Sequence, residues 1–137
     1  MIYRQIACDD WVCDVYFALN EYWGEEIISK FERLNASAEV LERIDYNMRR
    51  NKMDTGFTFS NPYMHHSIMV IGRSSSGAEL LNSFSHEVRH LVDDISAVWG
   101  LAPKGEAVAY LTGDVSALLS DIVCKLSCSC HRKRMIL

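Results

Sequence analysis

Apolar and polar residues alternate between residues 11 and 19, which predicts a β-strand with one face buried. The buried side of that strand would carry Trp11, Cys13, Val15, Phe17 and Leu19. A continuous apolar run at 67–72 predicts a second strand inside a sheet, and a shorter β segment is predicted at 57–60. Gly56 and the Asn61-Pro62 pair are turn signals beside these two segments.

Four other segments repeat their apolar residues every three or four positions, which predicts helices. The first helix follows Asn20, a residue type that caps helices, and the second ends near Arg50. The third helix covers about 76–99 and opens on Ser76 and Glu79, which have the spacing of a capping box. The fourth helix covers about 104–126, directly after Pro103, a residue that suits a first helical turn.

These elements predict an α+β domain with four helices and a small, mostly antiparallel sheet. The 137 residues are 49% hydrophobic and 23% charged, which is the balance of an ordinary globular protein. A chain of this length buries about two thirds of its unfolded surface and needs no covalent staple. No repeat or composition shift divides it, so we expect residues 1–137 to form a single domain.

The formal net charge of −4 argues against a nucleic-acid partner, because phosphate binding requires a basic face. The longest basic run, His131-Arg132-Lys133-Arg134, is interpreted as a solvated tail rather than a docking patch. The first residues do not show the pattern of a signal peptide, and no apolar stretch approaches the roughly 20 residues that span a bilayer. We therefore expect a cytoplasmic protein without membrane contact.

Cysteine occurs five times, an odd number that favours thiols over disulfides in a cytoplasmic protein. Four potential metal ligands crowd together near the end of the chain: Cys124, Cys128, Cys130 and His131. Their spacing lacks the two close pairs of a common zinc knuckle. We interpret them as thiols, with a second metal site as the alternative.

The segment His86-Glu87-Val88-Arg89-His90 carries the most specific chemistry in the chain. Residues four apart on a helix project from the same side, so both imidazoles can reach one zinc ion. Glu87 can address a water beside the metal and accept its proton. The two histidines point away from the predicted apolar stripe, which argues against core histidines and leaves ordinary surface residues as the alternative.

A catalytic zinc takes three protein ligands, and the fourth helix is the best source of the third. Glu106 is the preferred candidate and Asp114 the runner-up. In a straight antiparallel pair of helices the residue level with His90 is near 113, so Glu106 requires a short third helix or a steep crossing. Either carboxylate can also be a helix-start charge or a solvated side chain.

The motif and the Glu106–Leu111 segment together resemble the zincin metallopeptidases, in particular the gluzincin branch, and short proteins of phages and mobile elements that pair the motif with Glu-x-x-Ala-Tyr-Leu. The resemblance covers residues 67–114. It implies a minimal zincin-like fold, zinc bound by His86, His90 and Glu106, and Glu87 as general base. The pattern departs from many gluzincins at Tyr110, where an aspartate often orients a histidine; Asp114, Asp93 or Asp94 could take over that task.

The leading functional hypothesis is a zinc-dependent metallopeptidase that acts on a peptide or protein substrate. Tyr110, or one of the neighbouring His65 and His66, would support the oxyanion; the alternatives are a packed tyrosine and a polar turn. The chain is too short for the second domain that usually forms the far wall of a zincin cleft. A catalytically inactive binding or regulatory module is therefore the second hypothesis, and a regulatory protease that cuts one partner is the third.

Overall fold

The computed structural model describes residues 1–19, 24–49 and 56–128 of the chain. The elements in those ranges are β1 (Ile2–Cys8), β2 (Trp11–Leu19), α1 (Gly24–Arg33), α2 (Ala38–Arg49), β3 (Phe57–Asn61), β4 (His66–Gly72), α3 (Gly77–Trp99), α4 (Glu106–Leu118) and α5 (Ser120–Ser127). The predicted cap at Asn20, the helix end at Arg50, Cys130 and the basic run from His131 lie outside the described residues. The α+β fold class is confirmed.

The four strands form one sheet in the order β1-β2-β4-β3. β1 pairs with β2 and β3 pairs with β4 in antiparallel hairpins, while β2 and β4 pair in parallel. Two of the three pairings are thus antiparallel, as predicted. The sequence pattern did not predict β1. Arg4 and Gln5 place polar side chains on both of its faces, so the strand lacks the alternation that marks a half-buried strand.

Helices cover both faces of the sheet. One face packs with α3, α4 and α5 around a core that includes Val15, Phe17 and Leu91. The other face packs with α1 and α2 around Tyr16, Ile68 and other buried side chains. Successive residues of a strand point to opposite faces, so β2 and β4 each serve both cores. This explains why β4 reads as a continuous apolar run.

The predicted fourth helix is in fact two helices, which brings the total in the described ranges to five. The axes of α4 and α5 differ by 57° across a break at Leu119. The break contains neither proline nor glycine. The hydroxyls of Thr112, Ser116 and Ser120 instead donate at 2.8 Å to backbone carbonyls three or four residues earlier. Hydroxyl bonds of this kind bend helices.

None of the described helices is by itself long and apolar enough to cross a membrane. The bent pair of α4 and α5 reaches that length and composition when its two members are taken together. Both helices also bury side chains in the core beneath them, including Val115 and Ile122.

Candidate metal centre

The histidine motif lies within α3, an unbroken helix of 23 residues. The Ser76 hydroxyl caps its N-terminus by accepting a hydrogen bond from the Glu79 amide at 3.1 Å, as the capping-box spacing predicts. The Glu79 carboxylate reaches back one residue further than in a standard capping box, to the Ser75 amide at 3.1 Å. Gly100 ends the helix in the left-handed conformation with φ 68°. The motif residues are therefore held in regular helical geometry.

His86 and His90 project side by side from the exposed surface of α3. Their Nε2 atoms are 3.1 Å apart and their ring centroids 4.7 Å apart. Two nitrogens that bind one tetrahedral zinc at about 2.0–2.1 Å lie about 3.4 Å from each other. A small rotation of either ring is enough to fit the pair to one ion.

Glu87 turns away from the solvent into the interface between α3 and β3, where it is only 2% exposed. Its Oε1 atom accepts a hydrogen bond from the Thr58 hydroxyl at 3.3 Å. Its Oε2 atom is buried and has no hydrogen-bond partner in the described part of the chain. Burial raises the pKa of Glu87, and the nearby His90 and the Thr58 hydroxyl offset that effect only in part. A buried oxygen without a partner destabilises the fold and is free to bind a proton, a water or a cation.

The two imidazoles and the buried carboxylate come together as one group. One oxygen of Glu87 and one ring nitrogen of each histidine all lie within 4.8 Å of one another. In the ranges that the structure describes, this is the only such trio of His, Cys, Asp or Glu side chains. The group therefore combines two exposed nitrogen ligands with an adjacent acid that can accept a proton, which are two of the components of a zinc-dependent hydrolytic site.

The backbone of Gly56 lies against the Glu87 side chain. Gly56 has φ 88°, and a Cβ atom there would stand 2.4 Å from the Val70 carbonyl oxygen and 3.1 Å from the Glu87 Cγ atom. A side chain at this position would meet both backbone strain and a steric clash. The segment that enters β3 thus helps to enclose the carboxylate.

Glu106 and Asp114, the predicted candidates for the third ligand, both lie on α4. Neither contributes a carboxylate oxygen to the group of ligand atoms around His86 and His90. For Glu106 the length of α3 matters, because α3 continues to Trp99 and so extends about 14 Å beyond His90 before the chain turns towards α4. Glu106 is the exposed first residue of α4. Their assignment as third ligand stays a prediction.

Asp114 is an exposed residue of α4. Burial raises the pKa of the Cys8 thiol, and the negative charge of Asp114 adds to that rise. Cys8 belongs to β1, at the opposite edge of the sheet from β3, which borders Glu87.

The residues proposed to support an oxyanion are placed as follows. Tyr110 is 70% exposed on α4. The His65 Nδ1 atom is 2.8 Å from Asp10 Oδ2, and its ring stacks on Trp11 at 5.1 Å. The His66 Nε2 atom is 2.7 Å from Asp14 Oδ2. Both histidines thus contact aspartates of the β1–β2 hairpin. These contacts do not test their predicted role in supporting an oxyanion, which stays a prediction.

The two aspartates considered as partners for a histidine also have other contacts. Asp93 accepts hydrogen bonds from the Arg89 Nε atom at 2.9 and 3.0 Å. Asp94 accepts a hydrogen bond from the Ser60 hydroxyl at 2.6 Å. Ser60 also contacts the Ser67 hydroxyl at 2.7 Å, so Asp94 helps to fasten α3 to the sheet.

Sequence reasoning missed Thr58 and did not connect Gly56 with the site. Thr58 is an ordinary β-strand residue by type, and Gly56 was read only as a turn signal. The motif helix and β3 are about 30 residues apart in the chain, so no local spacing links them. Comparisons with protein-family models, curated proteins and solved structures found no match to this chain.

Proposed function

We propose that this chain is a zinc-dependent hydrolase of the metallopeptidase type, acting on a peptide or protein substrate. The observation that carries the proposal is the trio of His86, Glu87 and His90, with ligand atoms within 4.8 Å of one another. Two of its members are exposed and the third is buried with an unpartnered oxygen. On an ordinary surface helix a carboxylate is exposed, because burying it without hydrogen-bond partners costs free energy.

His86 and His90 would hold the cation through their Nε2 atoms, which already lie 3.1 Å apart. Bound zinc lowers the pKa of water to about 7 and polarises a carbonyl group. Within the described ranges Glu87 is the one further potential ligand that joins the pair, and as a general base it would not bind the cation. We therefore expect weaker zinc binding than in a site with three protein ligands, and assays should include added zinc.

Glu87 would act as the general base and then as the general acid. Its carboxylate takes one proton from the attacking water, whose oxygen bonds to the carbonyl carbon of the substrate. The C–N bond then breaks, and Glu87 returns the proton to the leaving amine. Burial favours this exchange, because it raises the pKa of Glu87 and so makes its carboxylate a stronger base.

Metal content tests the first step. We expect purified wild-type protein, dialysed to equilibrium against a buffer that contains zinc, to hold about one zinc per chain above the buffer concentration by elemental analysis. His86→Ala and His90→Ala should each lose it, because one imidazole on an exposed helix is a weak ligand. Arg89→Ala is the matched control, since Arg89 lies between them and pairs with Asp93 instead. Equal zinc content in wild type and His86→Ala would exclude the site.

A second candidate function is a metal-binding module that recognises a partner without cleaving it. It is favoured by the exposure of both histidines and by the absence of any potential ligand beyond Glu87 beside them in the described ranges. Glu87→Gln separates the two functions. A hydrolase loses peptide cleavage and keeps its zinc, whereas a binding module shows no cleavage even as wild type.

A further inference from the structure

We propose that Thr58 is a positioning residue that holds the Glu87 carboxylate in the wall of the site, where it can accept a proton, and keeps it from becoming a ligand of the cation. The inference rests on the proposed function. It goes beyond the histidine motif because Thr58 belongs to β3, an edge strand of the sheet.

The Thr58 hydroxyl reaches two atoms of the same residue. Its Oγ1 atom is 3.3 Å from the Glu87 Oε1 atom and 3.4 Å from the Glu87 carbonyl oxygen. One hydroxyl thus spans the backbone and the far end of a side chain with three rotatable bonds. This contact limits the rotation that would carry the carboxylate out of the interface.

Without such a restraint a bound cation would attract the carboxylate out of the interface. Glu87 lies next to His86 in the chain and three residues before His90, and its carboxylate lies within 4.8 Å of both ligand nitrogens. A carboxylate is a good zinc ligand, and a divalent cation attracts an adjacent anion. A carboxylate bound to the cation would no longer be free to take a proton.

Within the described ranges the Glu87 carboxylate accepts a hydrogen bond from Thr58 alone. Its Oε1 atom accepts from the Thr58 hydroxyl, and its Oε2 atom has no hydrogen-bond partner there. Gly56 itself restricts the space around the Glu87 Cγ atom without donating to the oxygens. The hydroxyl of Thr58 therefore supplies the donor, and the glycine supplies the wall.

The same strand offers a matched control. Ser60 lies two residues after Thr58, on the same face of β3, and its hydroxyl bonds to Asp94 on α3 at 2.6 Å. Removing the Ser60 hydroxyl weakens the contact between β3 and α3 without touching Glu87. A general loosening of the strand would affect both variants, whereas a specific effect on Glu87 would affect only Thr58.

Cobalt(II) is the probe for the experiment, because its visible absorption reports the ligands around it and needs no substrate. We expect Thr58→Val to bind Co²⁺ at least threefold more tightly than wild type and to change the visible spectrum, as Glu87 becomes a ligand. Thr58→Ser should restore the wild-type values, and Ser60→Ala should keep them. The double variant Thr58→Val/Glu87→Gln should lose the gain, since the neutral amide is a poor ligand.

The inference is overturned if folded Thr58→Val matches wild type in both affinity and spectrum, or if Ser60→Ala changes them equally. Thr58→Ala provides a second test if Thr58→Val does not fold, as judged by circular dichroism. Wild-type protein that binds neither Co²⁺ nor Zn²⁺ would overturn the proposed function together with the inference. Wild-type binding with an unchanged Thr58→Val overturns the inference alone.

Discussion

Replacing Gly56 by alanine should destabilise the protein more than any other single glycine-to-alanine change among the described glycines. The substitution adds one methyl group, where Gly56 has φ 88° and passes beside Glu87. An added Cβ atom would stand 2.4 Å from the Val70 carbonyl oxygen, a backbone atom that no side-chain rotation can move. Relief therefore requires β3 to shift relative to β4.

The magnitude follows from two contributions. An alanine in left-handed backbone geometry costs about 1–2 kcal/mol, and overpacking in a filled space costs about 1–3 kcal/mol. The sum, about 2–5 kcal/mol, is a large fraction of the 5–15 kcal/mol that stabilises a typical domain. We also expect weaker Co²⁺ binding or an altered spectrum, since the shift displaces the wall beside Glu87.

Urea denaturation followed by circular dichroism measures the free energy of unfolding, with two glycines as internal standards. Gly100 has φ 68° but no atom within 4 Å of an added Cβ, so Gly100→Ala should cost about 1 kcal/mol. Gly113 has ordinary backbone geometry and open space in α4, so Gly113→Ala should stabilise by about 0.5–1 kcal/mol. A Gly56→Ala loss no larger than that of Gly100→Ala would refute the reasoning.

Three further predictions use the same unfolding assay. Glu87→Gln should stabilise the metal-free protein by about 1 kcal/mol at pH 7. Burial raises the Glu87 pKa, so ionisation of Glu87 lowers the free energy of unfolding as pH rises from the usual 4.5 through the folded pKa. The stability gained by Glu87→Gln should therefore vanish in acid. A gain that persists below pH 4 contradicts this. Asp14→Asn should cost about 2 kcal/mol at pH 7. Burial alone would raise the Asp14 pKa, but hydrogen bonds from Tyr3, His66 and Gln5 outweigh burial and lower the pKa. The stability lost in Asp14→Asn should therefore decrease as pH falls from the usual 3.8 through the folded pKa. A loss independent of pH would rule that out. Arg4→Ala should leave the free energy of unfolding nearly unchanged, because the Arg4–Asp121 pair at 2.8 Å is exposed to solvent; a loss as large as that of Asp14→Asn would contradict this.

The candidate site divides into a local part and a non-local part. The four-residue spacing of His86 and His90 on a capped helix, and their direction away from the apolar stripe, were predicted from the chain alone. Their contact at 3.1 Å follows from helix geometry. The burial of Glu87 was not predicted, because it depends on β3 lying beside α3.

The third ligand shows what sequence spacing leaves open. Glu106 fits the third-ligand role by its residue type and by its place at the start of the following helix, and this role stays a prediction. In the structure α3 runs unbroken to Trp99, and Glu106 is not a member of the group formed by His86, Glu87 and His90. Spacing along the sequence cannot report how far a helix continues past a motif or how two helices cross.

By itself, the sequence determined the α+β class, the strands at 11–19 and 67–72, the α3 caps and the exposed histidine pair. Each of these depends on residues close in the chain, through hydrophobic periodicity, capping bonds or helical spacing. Tertiary structure decided the strand order, the break at Leu119, and the enclosure of Glu87 by Thr58 and Gly56. These depend on which segments become neighbours in space, and side-chain packing between distant segments leaves no periodic signal in the chain.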